Sequence, residues 1–200
     1  MDQVHYFTDN HALPSNRKEH SFRFFDHLFT FETDDGVFSK KGVDYGTEVL
    51  LRAAVEEDLH GDILDMGCGY GMITMVIGKL FPACHLTAVD VNSRAVELTG
   101  DNAVKNGLDV KTVISDGFAE LTDSYDAVLT NPPIRAGKKV IYGMFADSYE
   151  HLRENGILLA VIRKQQGAES AKRYIAEIFG NCEVVLKDKG YWVLRAIKCK

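Results

Sequence analysis

The chain has 200 residues, of which 46% are hydrophobic and 10% aromatic, enough to bury the core of one compact domain and too apolar for a disordered chain. No stretch approaches the ~18 uninterrupted apolar residues of a membrane-spanning helix, and the first twenty residues lack the apolar core of a signal peptide. We therefore expect a cytoplasmic protein without membrane contact, whose four scattered cysteines stay reduced.

Charge is distributed unevenly along the chain. The net charge of −6 argues against a general nucleic-acid binder. Residues 1–130 contain 10 Lys and Arg against 22 Asp and Glu, whereas residues 131–200 contain 13 against 7. The positive C-terminal part is compatible with a local site for a polyanion.

The first 44 residues are expected to form a short β extension. Residues 21–38 are rich in Phe, alternate in part between apolar and polar positions and contain Asp34-Asp35-Gly36, which is typical of one or two strands and a turn. Apolar residues at helical spacing follow from Val49 to Val55, and Thr47 is a candidate cap for that helix.

From residue 62 the chain alternates between strand and helix patterns. Strand patterns occupy residues 62–67, 85–91, 110–115, 125–131 and 157–162, and residues 182–198 read as two strands joined around Asp188-Lys189-Gly190. Helix patterns occupy residues 72–81, 93–107, part of 139–156, and 168–180. This alternation predicts an α/β fold, with a doubly wound, mostly parallel seven-stranded sheet and an antiparallel C-terminal strand. We expect one domain over residues 1–200, with its core at 45–200.

A glycine-rich turn follows the first strand of the alternating part. In the segment LDMGCGYGM, the glycines Gly67, Gly69 and Gly71 stand at alternate positions between a strand and a helix. Glycine lets the backbone turn tightly and brings the bare amides of a helix N-terminus against a ligand. The dinucleotide fingerprint GxGxxG would need its third glycine at Met72. This mismatch disfavours a nicotinamide or flavin cofactor.

Three carboxylates stand at strand ends, where open α/β sheets bind their ligands. Asp65 lies at the mouth of the glycine turn, Asp90 ends the second strand of this part, and Asp116 follows the third. A pocket lined with carboxylates repels a pyrophosphate and attracts a sulfonium and an ammonium. The residues therefore favour S-adenosylmethionine as the cofactor.

The segment VLTNPP ends the fourth strand with Asn131, Pro132 and Pro133. Prolines remove backbone donors and fix φ, so they stop the strand and leave a rigid corner. An amino group conjugated with a base or a carbonyl is a poor nucleophile, because its lone pair is delocalised. If the Asn131 side-chain oxygen and the Pro132 carbonyl each accept one N–H, the nitrogen is held and polarised toward a methyl donor. We expect these three residues to form a catalytic corner.

The glycine turn, the acids and the Asn-Pro-Pro corner, in this order, resemble class I S-adenosylmethionine-dependent methyltransferases over residues 45–200. The resemblance implies a Rossmann-like fold in which the glycine turn wraps the methionine part of the cofactor. It also implies that the acid in the position of Asp90 holds the ribose and that the acid in the position of Asp116 contacts the adenine amine. The cofactor-binding residues expected on this basis are Asp65, Gly67, Gly69, Gly71, Asp90, Val91, Asp116, Gly117, Phe118 and Asn131.

Residues 36–51, 131–139 and 161–196 resemble one group of these enzymes, the small-domain methyltransferases of bacteria. The group includes enzymes that methylate guanine N2 in small-subunit ribosomal RNA. The resemblance therefore implies this reaction, with ribosomal RNA or the small ribosomal subunit as partner and a target base that leaves its stack. We expect a monomer or weak homodimer. The expected substrate contacts are Phe38, Ile134, Arg135, Lys138 and Lys164.

The presence of Ile134 after Asn-Pro-Pro bears on which amino group is methylated. Family members that methylate adenine N6 or protein glutamine typically have Tyr after Asn-Pro-Pro, and an Ile side chain does not stack on a planar target in that way. These targets are less favoured alternatives, as are a non-catalytic RNA-binding assembly factor and a nicotinamide-dependent oxidoreductase. No metal is expected, because the seven histidines show no paired ligand spacing.

Overall fold

The computed structural model describes residues 14–37, residue 39 and residues 42–200. The strands in this part of the chain are β1 (Lys18–Phe24), β2 (His27–Thr33), β3 (Asp62–Met66), β4 (His85–Asp90), β5 (Val110–Ile114), β6 (Tyr125–Thr130), β7 (Leu152–Arg163), β8 (Glu183–Asp188) and β9 (Tyr191–Ile197). The helices are α1 (Tyr45–Ala54), α2 (Met72–Leu80), α3 (Ser93–Lys105), α4 (Lys138–His151) and α5 (Ala168–Phe179). None of the described helices is long and apolar enough to span a bilayer.

Seven strands form one sheet in the order β5-β4-β3-β6-β7-β9-β8. The first five of these run parallel to one another, and β9 runs antiparallel to both β7 and β8. Parallel neighbours need crossover connections, which helices supply here. The predicted Rossmann-like α/β fold with an antiparallel C-terminal strand is confirmed.

The strand order reverses between β3 and β6. Helices α2 and α3 lead the chain outward from β3 to β5, and β6 then forms on the other side of β3. The last residues of the two strands, Met66 and Thr130, are partners in the sheet, and Thr130 Oγ1 donates to the Met66 carbonyl over 2.8 Å. Open α/β sheets bind ligands at such a reversal. The glycine turn after β3 and the Asn-Pro-Pro corner after β6 are therefore neighbours.

The central strands are buried on both faces. Ile63 and Leu64 follow each other in β3 and belong to separate apolar clusters, as do Val128 and Leu129 in β6. All four side chains are at most 1% exposed. Successive residues of a strand point to opposite faces, so these apolar runs require a layer of helices on each side of the sheet.

Strand β7 is longer than its sequence predicts. The apolar run predicts a strand over residues 157–162, whereas the observed strand begins at Leu152. Leu152 pairs with Tyr125, and the register shifts before the next pair. Asn155 has a φ of 65° and donates its N–H to the Lys198 carbonyl over 2.8 Å. Pairing with a distant strand, which the local pattern does not encode, therefore sets the start of β7.

Strands β1 and β2 form the expected N-terminal β extension as a separate antiparallel hairpin. Its two-residue loop is Phe25-Asp26, where Phe25 adopts a φ of 49°, and the loop lacks a typical turn sequence. The ring of Phe31 in β2 stacks on Tyr70, with 5.1 Å between centroids. Asn102 of α3 accepts from the backbone of Glu32 over 2.7 Å. The hairpin is thereby fixed against the glycine turn and α3.

Candidate active site

A cavity of about 350 Å³ opens at the carboxyl ends of β3, β4 and β6. Its size is within the range of sites for small molecules and cofactors. The wall contains seven of the ten residues expected to bind the cofactor, and the two prolines of the expected catalytic corner. These residues are Gly67, Gly69, Asp90, Val91, Asp116, Gly117, Asn131, Pro132 and Pro133.

The glycine turn shapes one side of the cavity. Gly67 and Gly69 have φ values of 76° and 60°, and a Cβ added at either would meet no atom within 4 Å. Their backbone therefore faces open space, where a ligand can approach the amides closely. Gly71 does not line the cavity, because it is buried at the start of α2, where an added Cβ would lie 2.9 Å from Thr99 Cγ2. That glycine serves close packing.

Asp90 lies at the end of β4 and is half-buried. Its two oxygens accept from the backbone N–H groups of Asn92, at 2.9 Å, and Gly69, at 3.0 Å. Burial raises the pKa of this carboxyl, and the two hydrogen bonds oppose that rise. The contact with Gly69 ties the acid to the glycine turn. A carboxylate oxygen keeps further lone pairs, which can accept from the hydroxyl groups of a ligand.

Asp116 and Gly117 follow β5 and form the next part of the wall. Ser115 fixes their turn, because its hydroxyl donates to the Gly117 carbonyl over 2.9 Å and accepts from the Glu120 N–H over 3.0 Å. Phe118, by contrast, is absent from the described cavity wall. Its ring is buried in the core and stacks on His151, with 4.6 Å between centroids. Phe118, which was expected to contact the cofactor, therefore does not form part of this wall.

Asp65 is buried behind the wall formed by Met66 and Gly67 and does not itself line the cavity. Its Oδ2 accepts from the Thr74 hydroxyl at 2.6 Å and from the Thr74 N–H at 3.0 Å. Its Oδ1 is buried and has no hydrogen-bond partner among the described residues. Burial, helped by the charge of Asp90, raises the pKa of Asp65 to about 7. When ionised, this carboxylate attracts a ligand ammonium on the cavity side of the wall.

Asn131 stands directly after β6 and is half-buried. Its side-chain Nδ2 donates to Asp44 Oδ2 at 3.0 Å and to Thr47 Oγ1 at 2.9 Å. A carboxylate can only accept, so this pairing determines which end of the amide faces Asp44. Among the described residues, no group donates to Asn131 Oδ1. The amide oxygen remains an acceptor for a ligand in the cavity.

Asp44 is a site residue that the sequence analysis did not identify. The sequence predicts Thr47 as the cap of α1, whereas the N-cap is Asp44, whose Oδ2 accepts from the Thr47 N–H at 3.3 Å. Thr47 lies in the first turn and lines the cavity. An Asp three residues before the expected cap was an available signal for the N-cap. Its contact with Asn131, 87 positions away, had no signal in the sequence.

The sequence analysis also did not identify one face of α4 as part of the cavity wall. Val140, Gly143, Met144 and Asp147 line the cavity, and they recur at the spacing of a single helix face. The mixed composition of this face gives it no clear apolar stripe. It was therefore not recognisable as a binding surface from the sequence.

The chain matches the family model described as methyltransferase small domain over residues 28–195. The chain belongs to the methyltransferase small domain family. The match covers β2, the whole seven-stranded sheet except the last residues of β9, and the cavity. Members of this family use S-adenosylmethionine, which is the cofactor predicted from the glycine turn and the acidic strand ends.

Three relatives of this methyltransferase small domain differ in how much of their length it covers. An uncharacterized protein, YbxB, of Bacillus subtilis is 44% identical over 97% of this chain and 98% of its own. Ribosomal RNA small subunit methyltransferase C of Shewanella denitrificans is 35% identical over 74% of this chain and 43% of its own. The 16S rRNA N2 G1207 methyltransferase of T. thermophilus (RsmC), solved with AdoMet and guanosine, has a TM-score of 0.84 at 27% identity and covers 94% of this chain. This chain spans 52% of that structure, about half.

Four of the five expected substrate contacts of the methyltransferase domain are described, and they lie outside the described cavity wall. Ile134 is half-buried in a short 3-10 turn and packs against the core. Arg135 is exposed, and the Lys138 and Lys164 ammonium groups lie over the rings of Tyr142 and Trp192. Phe38 lies outside the described residues, and its neighbour Val37 lines the cavity.

Proposed function

We propose that this protein transfers a methyl group from S-adenosylmethionine to guanine N2 in small-subunit ribosomal RNA, in the cytoplasm. The observation that carries the proposal is the oriented amide of Asn131. Its Nδ2 is held by Asp44 and Thr47, and its Oδ1 is left as an acceptor at the cavity. An acceptor aimed at a ligand suits an amino group, which carries N–H donors.

The cavity wall fits the expected cofactor. The open backbone at Gly67 and Gly69 leaves room for the methionine part. The charge of Asp65 behind the wall, when this carboxyl is ionised, attracts the ammonium. Asp90 is the acceptor for the ribose hydroxyls and Asp116 for the adenine amine. S-adenosylmethionine, when bound, supplies a methyl carbon attached to a sulfonium sulfur.

The chain's own contribution is to hold the target nitrogen. Asn131 Oδ1 and the Pro132 carbonyl each accept one N–H of the target amino group. These two hydrogen bonds stabilise the positive charge that develops on the nitrogen as it becomes tetrahedral. Neither group is a strong base, so the rate gain comes from positioning and electrostatic stabilisation. The prolines matter because they fix φ in the backbone that carries both acceptors. The released proton passes to water.

Guanine N2 is favoured over the other amino groups by two observations. The relatives that match the chain over most of its length include proteins named as small-subunit rRNA methyltransferases. In addition, Ile134 stands where an aromatic residue would stack on adenine or glutamine, and it packs against the core instead. The positive balance of residues 131–200 suits a phosphate-bearing substrate.

The test uses S-adenosylmethionine with an isotope-labelled methyl group. The full chain is incubated with small ribosomal subunits, free rRNA, DNA and protein from cells that lack its gene, and the labelled product is digested and identified by mass spectrometry. Asn131→Ala is the matched variant. We expect it to lose at least about 100-fold in kcat while it still binds S-adenosylhomocysteine through the other expected cofactor contacts.

Label in N2-methylguanosine from small-subunit RNA supports the proposal. Label in N6-methyladenosine or methylglutamine would overturn the substrate and keep the role of Asn131. If the wild-type protein binds S-adenosylhomocysteine and RNA but labels nothing, the protein is a non-catalytic RNA-binding factor and the proposal is wrong.

A further inference from the structure

Aromatic rings and cations lie at the end of β7, the β8–β9 hairpin and the start of α1. They form one group on each face of the sheet, because Tyr191 and Trp192 follow each other in β9 and pack against separate apolar clusters. The Arg163 guanidinium lies 5.5 Å from the centre of the Tyr191 ring, and Lys189 Nζ lies 4.6 Å from that of Tyr45. We call this region the aromatic–basic surface. Its residues are Tyr45, Arg163, Lys164, Lys187, Lys189, Tyr191 and Trp192.

The group with Tyr45 and Tyr191 adjoins the expected catalytic corner. The Tyr45 and Tyr191 rings meet edge to face, with 5.9 Å between centroids. Tyr191 also packs over Gly46, where an added Cβ would lie 2.9 Å from Tyr191 Cε1. Gly46 lies between Asp44 and Thr47, the two residues that hold Asn131. A ligand strand that leaves the catalytic corner on this side therefore meets Tyr45 and Tyr191 first.

Hydrogen bonds hold the Tyr45 ring of this surface in a fixed position. The Tyr45 hydroxyl donates to Asp188 Oδ2 over 2.8 Å, and the Arg52 guanidinium donates to the same oxygen over 2.7 Å. Lys187 and Trp192 are paired across the β8–β9 hairpin. Fixed rings lose little conformational freedom when a planar group stacks on them.

The cations of the surface have few acidic partners. Among the described residues, Lys164 alone of the four cations has an ion pair within 4 Å, with Glu169 at 3.9 Å. Two ammonium groups, of Lys164 and Lys187, lie over the single ring of Trp192, at 5.8 and 4.4 Å from its centre. Trp192 is half-buried, and a cation over a ring that is partly open to solvent is weakly held. Phosphates would therefore draw these cations away and free the ring faces for bases.

We propose that the aromatic–basic surface binds the single-stranded RNA segment next to the target base, with phosphates on its Lys and Arg residues and bases stacked on Tyr191 on one face of the sheet and on Trp192 on the other. The inference rests on the proposed function, because it assumes an RNA substrate at Asn131. Cations beside rings are what binding of single-stranded nucleic acid requires, since every base has a face that can stack. An acidic protein would use the cations and leave the rings without a role.

The test measures binding of a fluorescent single-stranded RNA to the full chain, by anisotropy at several salt concentrations. Trp192→Leu keeps an apolar side chain against the core and removes the stacking ring. Lys187→Gln/Lys189→Gln removes two charges. Its matched control is Lys79→Gln/Lys111→Gln, which makes the same charge change on α2 and on β5, at the opposite edge of the sheet.

We expect Trp192→Leu to weaken RNA binding roughly 5- to 100-fold. We expect Lys187→Gln/Lys189→Gln to reduce the salt dependence, by a slope of about 0.7 for each phosphate that the protein no longer neutralises. The control variant should leave the RNA affinity and its salt dependence unchanged. All variants should bind S-adenosylhomocysteine as the wild type does. RNA affinity equal to that of the wild type in both surface variants would overturn the proposal. So would displacement of the RNA by polyglutamate at equal charge, which would indicate an acidic protein partner.

Methyl transfer separates this inference from the proposed function. If the wild type methylates RNA and the surface variants raise KM at unchanged kcat, the proposed function and the RNA-binding role of the aromatic–basic surface are both supported. Transfer to RNA with an unchanged KM in the variants would contradict the surface alone. Loss of RNA affinity in the variants, together with no transfer by the wild type to any RNA, would support the surface and contradict the proposed function.

Discussion

Asp44 accepts a hydrogen bond from Asn131, with 3.0 Å between Asp44 Oδ2 and Asn131 Nδ2. The same Asp44 oxygen caps α1 through the Thr47 N–H. One carboxylate therefore joins the start of a helix to the Asn-Pro-Pro corner at the end of β6. Because the carboxylate accepts only, it keeps the amide oxygen of Asn131 available as an acceptor.

Substitutions of Asp44 should separate capping from positioning. Asn and Ser both cap helices well, so Asp44→Asn and Asp44→Ser should differ by less than about 1 kcal/mol in the free energy of unfolding. The Asn side chain keeps an oxygen that reaches Asn131, whereas the Ser side chain is too short. We expect Asp44→Ser to lose roughly 10- to 100-fold in kcat at unchanged KM, and Asp44→Asn to keep most of the activity. Equal kcat in the two variants would remove the positioning role.

Cofactor binding should depend on pH through Asp65. Burial raises the pKa of this carboxyl to about 7, so most molecules of the ligand-free protein carry a proton there at about pH 6 and few do at about pH 8. Only the ionised form attracts an ammonium. We expect the affinity for S-adenosylhomocysteine to rise about tenfold over this range, with proton release detected by calorimetry in buffers of different ionisation enthalpy.

The matched variant for this experiment is Asp65→Asn, which keeps an oxygen for the two Thr74 donors and removes the titration. Its affinity should be flat over the same pH range. The stability of the ligand-free wild type should change in the opposite direction. A folded pKa above the unfolded value of about 3.9 favours folding at low pH, and this contribution is lost as pH rises toward 7. A wild-type affinity that falls with pH would contradict the assignment.

Asn102 joins the N-terminal hairpin to the glycine turn. Its side chain is buried, accepts from the Glu32 N–H at 2.7 Å and donates to the carbonyls of Glu32, at 2.9 Å, and Tyr70, at 2.8 Å. Asn102→Ala leaves these three buried backbone groups unpaired, so we expect a loss of about 2–3 kcal/mol in the free energy of unfolding. Urea denaturation measures the loss. Because Tyr70 lies in the glycine turn, cofactor affinity should also decrease. Asn102→Asp at low pH should recover part of the stability and part of the cofactor affinity.

Two glycine-to-alanine changes in helices should have opposite effects. At Gly46 an added Cβ would lie 2.8 Å from Asp44 Oδ2 and 2.9 Å from Tyr191 Cε1. Gly46→Ala should therefore destabilise the protein by about 1–3 kcal/mol and lower kcat, because it displaces the partner of Asn131. At Gly100 the nearest atom is 3.9 Å away, so Gly100→Ala should stabilise it by about 0.5–1 kcal/mol. Thermal unfolding of both variants gives the comparison, and a neutral Gly46→Ala would show that this corner is loosely packed.

Local patterns were sufficient to predict the elements of the sheet. The alternation of buried strands with helices closed by glycine, such as α3 with Gly107, is encoded within each segment and predicts the parallel α/β sheet. The start of β7 and the loop at Phe25 were not predictable in this way. Both depend on pairing with another strand, which overrides the weak local preferences of residues 152–156 and of a Phe-Asp turn.

The sequence alone also determined the chemistry at the strand ends: three glycines in a turn, acids at positions 65, 90 and 116, and an asparagine before two prolines. Only the tertiary structure decided which of these meet. It placed Asp65 behind the wall with an orphaned oxygen, moved Phe118 into the core, and joined Asn131 to Asp44. The physical reason is that residue type limits what a side chain can donate or accept, whereas burial and contacts between distant segments arise only when the layers of the fold pack together.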